Sequence, residues 1–323
     1  MKAIKDHPLF RPFAALALLL LIDAFAIPDF FHLEIKDGHL YGSLIDILNR
    51  AAPLMLTAIG MTLVIATRGI DVSVGAVVAI SGAVAAVLVA AKVSMATALA
   101  AAMGAALLCG VWNGLLVAAL GLQPIIATLI LMVAGRGLAQ LVTDGQMITV
   151  YHPPFFFLGG GHLLGLPFSL FLVAAVFALT ALLMSKTALG LFIQAVGVNP
   201  VAARLAGVRT ATLIFFVYVF CSACAGLAGL MISSNIKSAD ANNAGLLLEL
   251  DAILAVTLGG GSLTGGKFNL TGSLIGALII QTLTSTIYSL GVPPEVNMVV
   301  KAVVVFAVCI SQSSALKSRV RAA

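Results

Sequence analysis

Ionisable and amide side chains inside otherwise apolar runs hold most of the chemistry this sequence can offer. Asp251, just after Glu249, and Lys301 each lie one to two helical turns inside long hydrophobic stretches. A charge at such a place in a bilayer costs about 3 kcal/mol. The pattern therefore predicts that Lys301 pairs with Asp251 or Glu249. Such a pair serves first as a tie between two helices, and alternatively as part of a substrate path. Asn297 stands one turn from Lys301 and shares its face. Arg136 sits between two glycines with Gln140 at i+4. The two can clamp hydroxyl groups, or Arg136 can tie internally to Asp46 or Asp144. Asn113, beside the sole tryptophan Trp112, is deep in another apolar run and must meet either a neighbouring helix or a substrate. Asp71 and Ser73 occupy a polar break, where Asp71 can pair with Arg68. Asn242 and Asn243 belong to an amide-rich loop, 234–247, read as external. They suit a docked protein, a passing polar solute or a plain solvated turn.

None of this resembles machinery for breaking bonds. The sequence has no H-E-x-x-H, no G-x-S-x-G and no paired catalytic histidines. Gly261 to Lys267 reads G-x-x-x-x-G-K, but Phe268 follows where a phosphate loop needs Ser or Thr for magnesium. Leu18 to Asp23 (LLLLID) imitates the acidic strand of a second nucleotide motif, again outside any βαβ setting. Nucleotide is expected on a partner, and no cofactor on this chain. Cys221 and Cys224 form a C-x-x-C, read as small packing residues on a helix; no second pair completes a metal site.

One polar island stands apart: residues 185–211, SKTALGLFIQAVGVNPVAARLAGVRTA. It carries Lys186, Arg204 and Arg209 and no acid. Asn199 suits a helix N-cap, Pro200 the first helical position and Gly207 the position after the end. A helix of one to two turns on a polar loop fits a knob received by a partner's groove.

The elements that carry these residues are set by composition. Of 323 residues 61% are hydrophobic and 9% charged, against roughly 25% charged in soluble domains. The fold class expected is all-α, a polytopic membrane protein forming a single transmembrane domain over 1–323. Ten candidate spans are legible, near 12–28, 45–66, 72–91, 95–120, 124–143, 167–184, 212–233, 248–260, 268–290 and 295–313. Several are interrupted by Gly or polar residues and can be half-helices. With both termini cytoplasmic, eleven Lys and Arg fall inside and four outside, the bias that topology demands. That bias also explains the net charge of +5 without nucleic acid. Ala24-Phe25-Ala26 after the first apolar run imitates a signal cleavage site; a retained first span is expected.

Two glycine-rich stretches, 67–75 (TRGIDVSVG) and 258–267 (LGGGSLTGGK), place irregular backbone at membrane depth. Such backbone is tolerated only when buried in protein or lining a wet cavity. Each follows an apolar segment and precedes a small-residue helix, which hints at two related halves.

Four blocks carry a family resemblance: DILNRAAPLMLTAIGMTLVIATRGIDVSVGA (46–76), WNGLLVAALGLQPIIATLILMVAGRGLA (112–139), AVGVNPVAARLAGV (195–208) and LELDAILAVTLGGGSLTGGKFNLTGSLIGALI (248–279). In this order they resemble the permeases of bacterial ABC importers for ribose and related simple sugars. ADANNAGLLLELDAILAV is most similar to the galactofuranose importer's permeases. The resemblance implies a transport subunit of the inner membrane that does no covalent chemistry. Its implied partners are a double nucleotide-binding ATPase, a second permease that can be a different chain, a periplasmic sugar-binding protein and the lipid around it. It also implies that Gly197, Asn199, Pro200, Ala202, Ala203, Arg204 and Gly207 form the ATPase-coupling segment, with Ala203 in the docking surface. The family usually reads TGGIDLSVG where this chain has TRGIDVSVG, so Arg68 stands in place of a glycine. The alternative reading from another class is a proton-coupled sugar carrier using Asp71, Asp251, Arg136 and Lys301.

Overall fold

The computed structural model describes residues 9–36, 38–293, 296–303 and 306. Helices dominate: α1 (Phe10–Ala26), α2 (Ser43–Ala66), α3 (Val74–Ala90), α4 (Met95–Gly114), α5 (Pro124–Val142), α6 (Pro153–Gly160), α7 (Phe168–Lys186), α8 (Leu189–Val198), α9 (Pro200–Leu205), α10 (Thr210–Ile236), α11 (Leu248–Leu258) and α12 (Leu270–Ser289). Residues 296–303 are also helical. Three short antiparallel pairs join loops: β1 (Glu34–Lys36) with β2 (His39–Tyr41), β3 (Ile148–Thr149) with β6 (Ser238–Ala239), and β4 (His162–Leu163) with β5 (Leu166–Pro167).

Among the described residues six helices are long and apolar enough to cross a membrane: α2, α4 with its extension to Ala119, α5, α7, α10 and α12. Two of the expected spans are shorter than read. The 72–91 run gives α3 with 17 residues, and the 248–260 run gives α11 with 11. At 1.5 Å per residue α11 is about 16 Å long, half a hydrocarbon core of about 30 Å. Of the 295–313 run only 296–303 and 306 are described.

Position in the bundle follows from the side chains. Every residue of α2 from Leu54 to Ala66 is buried, and a helix apolar all round belongs in the interior. It packs against α10, α12 and α11, while α10 also packs on α3 and α4. Without a hydrophobic drive between helices in lipid, close backbone approach decides such contacts. A Cβ at Gly60 would come within 2.8 Å of the Cys221 Cα, so α2 and α10 meet at a position only glycine fits. The outer wall is α1, α4, α5 and α7, whose Phe25, Leu108, Val133, Leu141, Leu179 and Leu182 are exposed.

Two breaks shape the interior. Pro53 removes one ladder bond inside α2, and the Thr57 hydroxyl bonds the Pro53 and Leu54 carbonyls at 3.2 and 3.0 Å. At the end of α4 the helix widens into a π segment, Leu115–Ala119, closed by Leu120 N bonding Leu115 O at 3.0 Å. The α2–α3 connection is the non-helical 67–73 stretch. The connection into α11, residues 240–247, is the second irregular descent. Its Ala241 is buried, and Gly245 lies against Gly75 and Val78. Part of the loop read as external thus packs along α3, where its small residues fit and a bulky loop could not.

Candidate functional site

The polar island folds as two short helices. Asn199 is extended (φ −156°), and its Oδ1 accepts from Val201 N at 3.0 Å and Ala202 N at 3.1 Å. Those are the orphan donors that an N-cap exists to satisfy. Pro200 follows at the first position, where no N–H is needed. At the far end Gly207 takes φ +87°; Gly207 N bonds Arg204 O and Val208 N bonds Ala203 O, both at 3.0 Å. Arg204 Nε donates to Thr210 Oγ1 at 3.4 Å, tying α9 to α10. This roll sets which face is free. Ala203 is only 5% exposed, whereas Val201 is 66% and Leu205 86% exposed. Ala203 thus faces its own subunit, and the outward stripe is Val198, Val201 and Leu205, with Ala202 beside it.

The first interrupted element holds a buried polar cluster. Asp71 Oδ1 accepts from Ser73 N at 2.9 Å and Ser73 Oγ at 2.6 Å, and Asn113 Nδ2 donates to Ser73 Oγ at 2.8 Å. All three side chains are wholly buried. The Cys221 thiol borders the carboxyl, which places Asp71 about 16 Å along α10 from Thr210. Among the described residues Asp71 Oδ2, Asn113 Oδ1, the Tyr218 hydroxyl and Ser222 Oγ have no geometric hydrogen-bond partner. The expected Arg68–Asp71 tie is not made. Arg68 is exposed, adopts φ +66° and donates from Nη2 to the Val198 carbonyl. A left-handed backbone costs a residue with a Cβ about 1–2 kcal/mol, which is why a glycine suits this place.

A second group surrounds the start of α11. Arg136 Nη1 donates to the carbonyls of Ala244 (2.6 Å) and Ala241 (3.2 Å). It therefore ties α5 to the 240–247 descent, rather than to Asp46, which pairs with Arg50 at 2.8 Å, or Asp144. Gln140 Nε2 bonds Asn242 Oδ1 at 2.7 Å, so two candidates from distant parts of the chain meet. Asn243 folds back, Nδ2 to Asp240 Oδ2 at 2.7 Å. Glu249 is 4% exposed, and its Oε2 has no geometric hydrogen-bond partner among the described residues. A side chain added at Gly75 would run into that oxygen and the Gly245 carbonyl. The first turns of α3 and α11 therefore abut, with a carboxylate at the positive end of α3.

Lys301 Nζ lies 2.7 Å from Asp251 Oδ2, both side chains about four-fifths buried. Asn297 Nδ2 reaches Tyr288 Oη at 3.4 Å. One polar contact escaped the sequence reading. Asp23, wholly buried in α1, accepts from Thr286 Oγ1 of α12 at 2.6 Å. A lone acid inside a span was itself a signal, masked by the nucleotide-motif imitation around it. Among the described residues no group of three His, Cys, Asp or Glu could hold a metal ion, and Cys221 and Cys224 are free and buried in α10. A cleft of about 180 Å³ lies between α2, α6 and α10, lined by Asn49, Arg50, Pro53, Gly159 and Asn235.

A polytopic apolar bundle with internal half-helices and an outward capped knob has the form of a membrane permease. Residues 43–309 match the family described as branched-chain amino acid transport system / permease component. The chain is 54% identical to the galactofuranose transporter permease protein of Escherichia coli (strain K12), over 95% of this chain and 90% of that one. It is 39% identical to the fructose import permease protein of Bifidobacterium longum (strain NCC 2705), over 93% and 86%. It is 38% identical to the ribose import permease protein of Escherichia coli (strain K12), over 90% and 89%. No solved structure matches significantly. The chain belongs to this permease family: it is a multi-pass membrane transport component and its family is not one of enzymes.

Proposed function

We propose that the chain is the transmembrane permease subunit of an ATP-driven importer for a monosaccharide, galactofuranose or a related pentose or hexose. In this reading it is one domain of about ten spans in a bacterial inner membrane, with both termini cytoplasmic. A double nucleotide-binding ATPase docks inside, a periplasmic sugar-binding protein delivers outside, and a second permease, the same or another chain, completes the path. The observation that carries it is α9: a capped helix that leaves Val201 and Leu205 bare beside Arg204 and Arg209, where a partner's groove would receive them.

The sugar reading rests on the relatives' transported sugars and on a polar interior made mostly of amides and hydroxyls, with Lys301 and Asp251 paired to each other. That set suits a neutral solute. The carrier alternative needs Asp71, Asp251, Arg136 and Lys301 to form a relay, but they are engaged separately, with Ser73, with each other and with loop carbonyls.

The test is uptake of radiolabelled sugar by vesicles holding the complete assembly. ATP without a proton gradient is expected to drive accumulation. Accumulation on a gradient alone, with ATP ineffective, would reverse the assignment.

A further inference from the structure

Motion at α9 needs a stiff route to the interior, and one stands at the C-terminal end of α2. Three segments remote in sequence share that point. Gly266 N donates to the Ala66 carbonyl at 2.9 Å, joining the α11–α12 glycine stretch to the last turn of α2. A side chain at Gly197, in α8, would collide with that same Ala66 oxygen and with Gly266 N. A Cβ at Gly266 would lie 2.7 Å from Val198 Cγ2, and one at Gly265 would lie 3.1 Å from the Gly197 carbonyl oxygen. Over this contact Arg68, the first residue past the α2 cap, donates to the Val198 carbonyl, one residue before the Asn199 cap of α9.

We propose that this glycine junction clamps the α8–α9 segment to both interrupted elements at once, and that Arg68 is the positioning residue that latches it. The inference rests on the coupling role proposed above for α9. The α2–α3 break begins at Thr67, and the stretch leaving α11 begins at Gly259. A displacement of Asn199 is therefore delivered to the foot of α3 through 67–73 and to α11 through 259–266 together. The approaches of Gly197 to Ala66 and Gly266 are backbone on backbone, with only the Val198 methyl and the Arg68 side chain beside them, which suits a stiff transmission. Arg68 fits the latch for a further reason: it stays in a left-handed backbone that suits glycine and reaches across to a carbonyl of the moving segment. A glycine there would have the easier backbone and no reach.

The experiment measures ATP hydrolysis and sugar uptake in the same vesicles, using the complete assembly with wild type, Arg68→Gly and Gly197→Ala. For Arg68→Gly we expect an unchanged or higher melting temperature, wild-type ATP hydrolysis, and sugar moved per ATP lowered by about fivefold, the worth of one hydrogen bond. A purely structural arginine would instead lower the melting temperature and leave that ratio alone. Gly197→Ala is expected to lower the ratio further, because only backbone can yield to its methyl group. Wild-type ratios in Arg68→Gly overturn the latch whether or not Gly197→Ala assembles. If the wild-type assembly itself moves no sugar on ATP, the coupling reading and this inference fall together.

Discussion

Lys301 and Asp251 show how far one pair of charges constrains two helices. Their 2.7 Å contact joins α11 to the helical stretch 296–303, and the side chains are 22% and 19% exposed. Removing one partner strands the other in a poorly solvated place, at a cost of about 3 kcal/mol for a buried pair and less here because water still reaches both. Lys301→Met is therefore expected to lower the melting temperature of the detergent-solubilised subunit, and Asp251→Asn to do the same. The double variant should recover much of the loss, with a coupling energy of about 1–2 kcal/mol. Strictly additive losses would mean that the contact does not hold the helices. The sequence narrowed Lys301 to two acids because a charge in a span must be neutralised within reach. It could not do so for Arg68 or Asp23, whose partners lie 130 and 263 positions away and are brought near only by packing. Arg136 was legible as an anchor but its acceptors were not, because backbone carbonyls carry no signature in side-chain type.

Helix ends proved more legible than helix faces, and α9 shows why. Asn199, Pro200 and Gly207 fix where it starts and stops through bonds within five residues, and that chemistry is local. Its roll depends on α10, through Arg204 and Thr210, and turns Ala203 inward and Leu205 outward. Two substitutions separate the faces. Leu205→Asp is expected to insert and fold like wild type yet fail to retain the ATPase on co-purification. A fully buried leucine at an interface is worth about 1.5–3 kcal/mol, tenfold or more in affinity. Ala203→Asp is expected to reduce the amount of folded subunit, because it places a carboxylate in a packed contact. A Leu205→Asp subunit that still carries the ATPase through purification would remove α9 from the docking surface. The same local-versus-distant divide holds for the half-helices. The 67–75 break was visible from its glycines and polar residues. The 240–247 stretch reads as ordinary loop, and only its contacts with Gly75 and Arg136 show that it packs against α3 and α5.

At the scale of the whole molecule the decisive property is which end faces which compartment. Orientation follows from charge bias, which is a property of the entire chain and not of any element. The proposed orientation puts the α8–α9 knob in the cytoplasm and the β4–β5 hairpin outside; the two stand at opposite ends of the outer helix α7, about 28 Å apart along its 19 residues. Leu205 and Leu164 are exposed by 86% and 88%, so a cysteine at either position is open to a reagent on its own side. The native thiols interfere little: Cys109, Cys221 and Cys224 are buried, and Cys309, outside the described residues, is replaced by serine. With a membrane-impermeant maleimide, Leu164→Cys is expected to label in intact spheroplasts and Leu205→Cys only in inverted vesicles. The opposite pattern would invert the molecule and set its knob among periplasmic proteins, where no nucleotide-driven motor could reach it. Labelling of both from one side would mean an even number of crossings between them, and α7 would then not be a single span that separates them.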